Sequence, residues 1–181
     1  MRNMSEKNNM SVEIIRHPTN DDWTRCYNLA LNTCGKDVEK TPADEWKQGI
    51  LIAEHSPIRT LMFTIKMKVP YWVSVHFCRH KIGVEHYVSS QRNDRQDDYD
   101  RNKAPQDTLV THIMDVNAQG LINIIRARTC GKAADETRQV AWMIRDLVVK
   151  TNPEFTVVLG PKCVYTKGCH EMKGCGWYDA S

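Results

Sequence analysis

The stretch 60–69 constrains the fold most, because apolar and polar residues alternate along it. Leu61, Phe63, Ile65 and Met67 occupy every second position, with Thr and Lys residues among those between them. A period of two predicts a β-strand with one face buried and the other in water. The chain must therefore build a sheet, and something must cover its apolar face. Pro70 is expected to end the strand.

The sequence before and after this strand has helical periodicity, and the helices that it predicts would cover the apolar face of the sheet. The stretch 133–150 has the clearest pattern, since its apolar residues recur at helical spacing opposite charged ones. We predict longer helices over 20–35, 42–54, 117–128 and 133–150, capped at the first two N-termini by Asn20 and Thr41. We also predict a short helix over 71–78, strands over 12–15 and 155–159, a charged loop over 91–103, and either a strand or a helix start over 109–114. The expected fold class is mixed α/β, a sheet flanked by helices.

Length and composition favour one soluble domain spanning 1–181, with a cysteine-rich C-terminal tail at 160–181. The chain has 181 residues, 41% of them hydrophobic and 26% charged, which is typical of globular proteins. It has no run of about 18 apolar residues, as a membrane span needs, and its first residues are polar. We therefore expect a cytoplasmic protein whose seven cysteines are reduced.

Basic residues from several predicted elements suggest an anion site. Guanidinium groups bind phosphates through paired hydrogen bonds, so convergent arginines suit a nucleotide or a pyrophosphate cofactor. The alternative for each residue taken singly is a solvated surface side chain. The residues concerned are Arg79, Lys81, Arg92, Arg95, Arg101, Arg128 and Arg138.

Taken in order, several of these segments resemble the flavin-dependent thymidylate synthases. Arg79-His80-Lys81 is similar to that family's Arg-His-Arg triplet, and Ser90-Gln91-Arg92 to its Ser-x-Arg element. The stretch 117–128 resembles the family's helix beginning Asn-Ala and ending in arginine, and 133–138 its Ala-Gln-x-Glu-Ile-Arg. The resemblance covers about 54–140.

The resemblance implies an enzyme that methylates dUMP to dTMP. It implies FAD as cofactor, NADPH to reduce it, methylenetetrahydrofolate as carbon donor, and a homotetramer with active sites between subunits. The implied FAD-binding residues are Ser56, Arg79, His80, Lys81, Asn117 and Asn123. The implied dUMP-binding residues are Ser90, Arg92, Arg101 and Arg128. Arg128 is also the implied catalytic residue, which polarises the pyrimidine.

Two alternatives stay open. Arg59, Gln119 and Ala134 differ from the family pattern, so the substrate of a flavin-dependent methylase or hydroxymethylase could be another pyrimidine nucleotide. The other alternative is a small zinc-stabilised binding module without catalysis, because Cys163, Cys169 and Cys175 recur every six residues. The enzyme interpretation assigns no metal. It also assigns no role to His86 or His112, for which the sequence indicates no partner.

Overall fold

The computed structural model describes residues 9–36, 40–95 and 99–178 and contains a four-stranded antiparallel sheet. The strands lie in the order β1-β2-β4-β3. Their bounds are β1 Ser11–Arg16, β2 Met62–Pro70, β3 Val84–Val88 and β4 Leu109–Asn117. Helices pack against the sheet, so the predicted mixed α/β class is confirmed.

The two central strands pair along their whole lengths, from Met62 opposite Asn117 to Pro70 opposite Leu109. Burial alternates along both of them. The apolar residues that alternate in the sequence of β2 are fully buried, as predicted. The pairing also shows that the stretch from residue 109 is a strand rather than the start of a helix.

The described part of the chain contains six α-helices. Their bounds are α1 Asn20–Asn32, α2 Asp44–Ala53, α3 Tyr71–Cys78, α4 Ala118–Arg128, α5 Asp135–Thr151 and α6 Lys162–Tyr165. Both predicted N-caps were wrong. Thr19 caps α1 in a reciprocal capping box with Asp22, and α2 begins after Ala43. None of these helices is both long and apolar enough to cross a membrane.

The strand predicted at 155–159 is also wrong, because a 3-10 helix occupies Pro153–Val157. Phe155 is fully buried, and its ring meets the edge of Phe63 at a centroid distance of 5.2 Å. The neighbouring Glu154 accepts a hydrogen bond of 2.7 Å from the Trp23 indole. A short apolar run indicates that a segment is buried, but it does not by itself distinguish a strand from a buried turn.

Both central strands continue into helices without a loop. Helix α3 follows Pro70 at once, and Asn117 both ends β4 and caps α4 by accepting a hydrogen bond from the backbone of Gly120. Because β2 and β4 are antiparallel, the two helices begin at opposite ends of this strand pair. A hydrogen bond from Arg128, at the end of α4, to the carbonyl of His76 on α3 joins them.

Candidate functional site

Arg128 is held in one orientation between α3 and α4. Its Nε donates to Nε2 of His80 at 3.0 Å, and its Nη2 donates to the His76 carbonyl at 2.8 Å. The side chain is partly buried, and burial together with the nearby charge of Arg79 lowers its pKa. An arginine stays protonated despite such a shift, so Arg128 presents a fixed positive charge.

His80 orients Arg128 through its ring. To accept the hydrogen bond, its Nε2 must be unprotonated, so a neutral ring carries its proton on Nδ1. Burial first, and then the charges of Arg128 and His86, lower the pKa of His80 to about 4. The ring is therefore neutral at physiological pH.

A further pair of histidines supports the backbone of His80. His86 Nε2 lies 2.7 Å from the His80 carbonyl, which can only accept, so this nitrogen carries the proton. In neutral His86, Nδ1 then accepts from His112 Nε2 at 2.9 Å. This leaves Nδ1 of His112 as a bare acceptor, and among the described residues that buried atom has no partner. Burial and the charge of His86 lower the pKa of His112 to about 4.

Sequence inspection missed the histidine pair because only strand register reveals it. Val88 on β3 lies opposite His112 on β4, and His86, two residues before Val88, shares its face of the sheet. Cys78 lies beside the pair, with its sulfur and the histidine nitrogens within 4.8 Å of one another. Both nitrogens of His86 are already hydrogen-bonded, so the two histidines support the backbone of the Arg79-His80-Lys81 turn.

Three cations around this turn lack acidic partners. In the described part of the chain, Arg79, Lys81 and Arg128 form no ion pair with a carboxylate. Arg79 and Lys81 are exposed, and Arg79 lies close enough to influence the pKa of Arg128. Unpaired neighbouring cations repel one another unless an anion binds between them. Their arrangement therefore suits a phosphate or pyrophosphate.

A cleft of about 680 Å³ opens beside Arg128. The α4–α5 connection forms one wall, and the C-terminal segment 161–178 forms the other. Arg138 and Trp142 of α5 also line it, as does Trp177. The volume is within the usual range of small-molecule sites. The cleft also receives Cys163, Cys169 and Cys175, joined there by Cys130.

The predicted substrate residues Ser90, Arg92 and Arg101 form a separate group in one loop. The backbone N–H of Arg92 donates to Ser90 Oγ at 3.2 Å, and that of Arg101 donates to Asn93 Oδ1 at 3.1 Å. The Arg92 guanidinium forms two hydrogen bonds with the exposed carboxylate of Asp94. The structure thus brings these three residues together, but the hydrogen bonds of Arg128 go to α3 and His80 instead.

The remaining predicted cofactor residues lie apart from one another. Asn117 has its Oδ1 committed to the N-terminus of α4 and packs against Gly83, whose φ of 73° needs a glycine. Asn123 is exposed on α4. Ser56 is exposed at the start of a 3-10 helix, Ser56–Thr60. The structure does not bring these side chains into contact with Arg128.

A buried ion pair, which sequence inspection did not find, steadies α4 from its other side. Arg126 Nη1 and Gln119 Nε2 both donate to the carboxylate of Glu54, which follows α2. Burial alone would raise the pKa of Glu54, but the hydrogen bonds from Arg126 and Gln119 outweigh it and lower the pKa. The Arg126 guanidinium also stacks 3.5 Å from the centre of the Tyr165 ring. This contact ties α4 to the C-terminal segment.

The fold is similar to that of a solved nucleotide methylase. The crystal structure of the UMP/dUMP methylase PolB from Streptomyces cacaoi, bound with 5-Br dUMP, matches with a TM-score of 0.63 and 15% sequence identity. The match covers 83% of this chain and 96% of that one. At this identity the match establishes the fold.

A family model matches the part of the chain that contains α4 and α5. Residues 95–154 match the family model described as thymidylate synthase complementing protein. This match, together with the fold, confirms the resemblance to the flavin-dependent thymidylate synthases. No curated protein sequence matches the chain.

Proposed function

We propose that this protein is a flavin-dependent thymidylate synthase that methylates dUMP to dTMP in the cytoplasm. The observation that carries the proposal is the fixed Arg128 charge beside unpaired cations and a cleft of ligand size. The family match over 95–154 includes Arg101, Asn117, Asn123 and Arg128, and the similar fold of a UMP/dUMP methylase agrees with it.

Arg128 is the proposed catalytic residue. Two hydrogen bonds hold its guanidinium, while Nη1 donates to no described residue and is available to a pyrimidine carbonyl. A charge already in place stabilises negative charge developing on the ring without reorganisation during the reaction. His80 and the His76 carbonyl thus preserve the orientation on which this effect depends.

The exposed cations Arg79 and Lys81 would hold the FAD pyrophosphate. They fit that group because no carboxylate of the described chain competes for them. Ser56, Asn123 and the His80 segment would contribute further contacts, and Asn117 retains its Nδ2 donor for this purpose. FAD, once reduced by NADPH, would supply hydride to complete a methyl group whose carbon comes from methylenetetrahydrofolate.

The loop with Ser90, Arg92 and Arg101 would bind the dUMP phosphate. Its basic groups suit a dianion, and exchange of Asp94 for phosphate would release Arg92 for binding. In the homotetramer that we propose, this loop would meet Arg128 of another subunit. Sharing the site in this way lets a small chain enclose a cofactor and two substrates.

Turnover measurements can also establish which pyrimidine nucleotide the protein prefers as substrate. The similar structure is of a methylase of both UMP and dUMP, and another pyrimidine nucleotide remains the alternative substrate for this chain. Arg59, Gln119 and Ala134 are the positions that depart from the family pattern. We propose dUMP as the principal substrate, so turnover with it should exceed turnover with UMP.

The experiment combines flavin absorption with turnover. Purified protein should show a flavin spectrum on addition of FAD, and with NADPH and methylenetetrahydrofolate it should release tritium from C5 of labelled dUMP. Arg128→Ala should lower kcat by about 100-fold or more while retaining the wild-type circular dichroism spectrum. Arg25→Ala, which alters an exposed arginine on α1, is the matched control and should retain full activity.

Three results would count against the proposal. The first is failure to bind FAD. The second is that no pyrimidine nucleotide tried gives either tritium release or dTMP. The third is normal turnover by Arg128→Ala. Stoichiometric zinc in a protein that binds no flavin would instead favour the zinc-stabilised binding module.

A further inference from the structure

Four cysteines from two distant parts of the chain meet at the cleft. Cys130 lies in the α4–α5 connection, and Cys163, Cys169 and Cys175 lie in the C-terminal segment. The other cysteines, Cys26, Cys34 and Cys78, do not line this cleft. Sequence spacing singled out the last three of the four, and only the fold brings the first to them.

The backbone beside two of these cysteines lies close to the sulfur of another. A Cβ placed on Gly131, next to Cys130, would lie 3.1 Å from the Cys175 sulfur, and one on Gly174 would lie 3.3 Å from the Cys169 sulfur. Cys163 lines the same cleft and lies near Cys130 and Cys169.

Backbone atoms near the cysteines also lie close to cysteine sulfurs. The N–H of Lys132 points at the Cys130 sulfur, with N and S 3.5 Å apart, in a Cys-Gly-Lys turn. The other glycines that flank the cysteines in sequence are Gly168, Gly174 and Gly176. A glycine allows tight turns and leaves room for the sulfur of a neighbouring segment, as the Gly131 contact illustrates.

The charges near these cysteines suit a thiolate cluster. Four thiolates around a divalent cation carry a net charge of about −2, which needs compensation in a partly buried place. Each of the four has a lysine within two residues in sequence. These lysines are Lys132, Lys162, Lys167 and Lys173.

Beyond the contact of Tyr165 with Arg126, regular structure gives the C-terminal segment little support. After the four-residue helix α6, the described residues 166–178 contain no helix or strand. Nearly all are exposed or half-exposed, including Met172 and Trp177. A segment that buries so little apolar surface gains little from the hydrophobic effect, whereas metal ligation stabilises such irregular segments directly.

We propose that Cys130, Cys163, Cys169 and Cys175 bind one structural zinc ion, which fastens the C-terminal segment to the α4–α5 connection. Four sulfur ligands at tetrahedral geometry are characteristic of structural zinc, with Zn–S distances of about 2.3 Å. In the described chain no three of these sulfurs lie within 4.8 Å of one another. Binding therefore draws the irregular segment inward, and the ion fixes the cleft wall that faces Arg128. The zinc site does not rest on the proposed methylase activity.

Metal analysis of the full-length protein, purified under reducing conditions, tests the proposal. Elemental analysis should find about one zinc per chain, and cobalt substituted for zinc should give the intense visible bands of a tetrahedral thiolate site. Cys130→Ser and Cys175→Ser should each lose the metal. His170→Ala, which alters a cleft residue between two of the cysteines, and Cys34→Ser, outside the cleft, should retain it.

Two measurements on wild-type protein guard against variants that simply fail to fold. A thiol reagent should react slowly with four cysteines until a chelator is added, and limited proteolysis should cut within 163–178 only after chelation. The proposal is overturned by protein that contains no zinc and takes up none on titration, or by disulfides among the four cysteines. Retention of the metal by a folded Cys130→Ser variant, or its loss from a folded His170→Ala variant, overturns it equally.

Discussion

Removal of the Glu54 carboxylate is the sharpest test of how α4 is held. The Arg126 side chain is 9% exposed and that of Glu54 is 22% exposed, so their ion pair is largely shielded from water. In Glu54→Ala, the Arg126 charge would stay buried with its partner gone, and Nε and Nη2 of Arg126 already lack partners in the described chain. Breaking a buried pair from one side costs about 3–5 kcal/mol.

We expect a loss near the lower end of that range, about 3 kcal/mol, because Glu54 retains some contact with water. For a chain of this size, each kcal/mol shifts Tm by about 2–4 °C, so Glu54→Ala should lower Tm by about 6–12 °C. The backbone at this position has a φ of 50°. Alanine and glutamate bear similar strain there, so the loss reports the carboxylate.

Thermal and urea unfolding followed by circular dichroism measure this loss. Glu13→Ala is the matched control, because it breaks an exposed ion pair with Lys66 and should cost less than about 1 kcal/mol. Replacing both partners, as Glu54→Leu with Arg126→Met, should recover part of the loss since no buried charge remains. A loss below 1 kcal/mol in Glu54→Ala would refute this account of α4.

The same carboxylate gives a pH dependence with a definite sign. The pKa of Glu54 in the folded protein lies below its ordinary value of 4.5. The contribution of the Glu54 carboxylate to the free energy of unfolding is therefore fully present above pH 4.5. It is lost as the pH falls through the pKa of the folded protein. Wild-type protein should lose more stability in this acid range than Glu54→Ala does.

Three further perturbations test other parts of the structure. The depressed pKa of His112 means that stability should fall as the pH drops from 6.5 towards about 4, and His112→Gln should reduce the difference in urea midpoint between pH 7 and pH 5. Gly83→Ala should cost about 2 kcal/mol in urea unfolding, because the new Cβ would lie 2.6 Å from the Asn117 amide that caps α4. Asp94→Ala should tighten dUMP binding by up to about fivefold in calorimetry, since it releases Arg92 for the phosphate.

Each of these has a control within the chain. His55→Gln alters an exposed histidine. If it changes the pH dependence of stability as much as His112→Gln does, the assignment of that dependence to His112 is contradicted. Gly35 has a similar φ of 67° but open space around it, and an equal loss in Gly35→Ala would show that Asn117 is not involved. Unchanged or weaker dUMP affinity in Asp94→Ala would remove Arg92 from the phosphate site.

Local patterns in the sequence determined the elements of this fold. The alternation around Phe63 predicted the central strand, and helical periodicity predicted α1, α2, α4 and α5 to within a few residues. These patterns are readable because neighbours along the chain encode them. The same locality explains the error at 155–159, where burial of Phe155 by distant residues imitates a strand pattern.

Part of the site could likewise be predicted from the sequence. Ordered motifs indicated Arg79, His80 and Arg128 as members of one family pattern, and the structure joins His80 to Arg128. It does not bring Asn123 or Ser56 to them within one chain. The order of motifs along the chain indicates which family pattern they resemble, whereas contact between residues depends on where each element ends.

Only the tertiary structure decided which residues meet across the chain. The His86–His112 pair depends on the register between β3 and β4, and the meeting of Cys130 with the C-terminal cysteines depends on how the tail returns to the end of α4. Such contacts join residues that are tens of positions apart. No local pattern records them, because they arise from strand order and packing, which form only when the whole chain has folded.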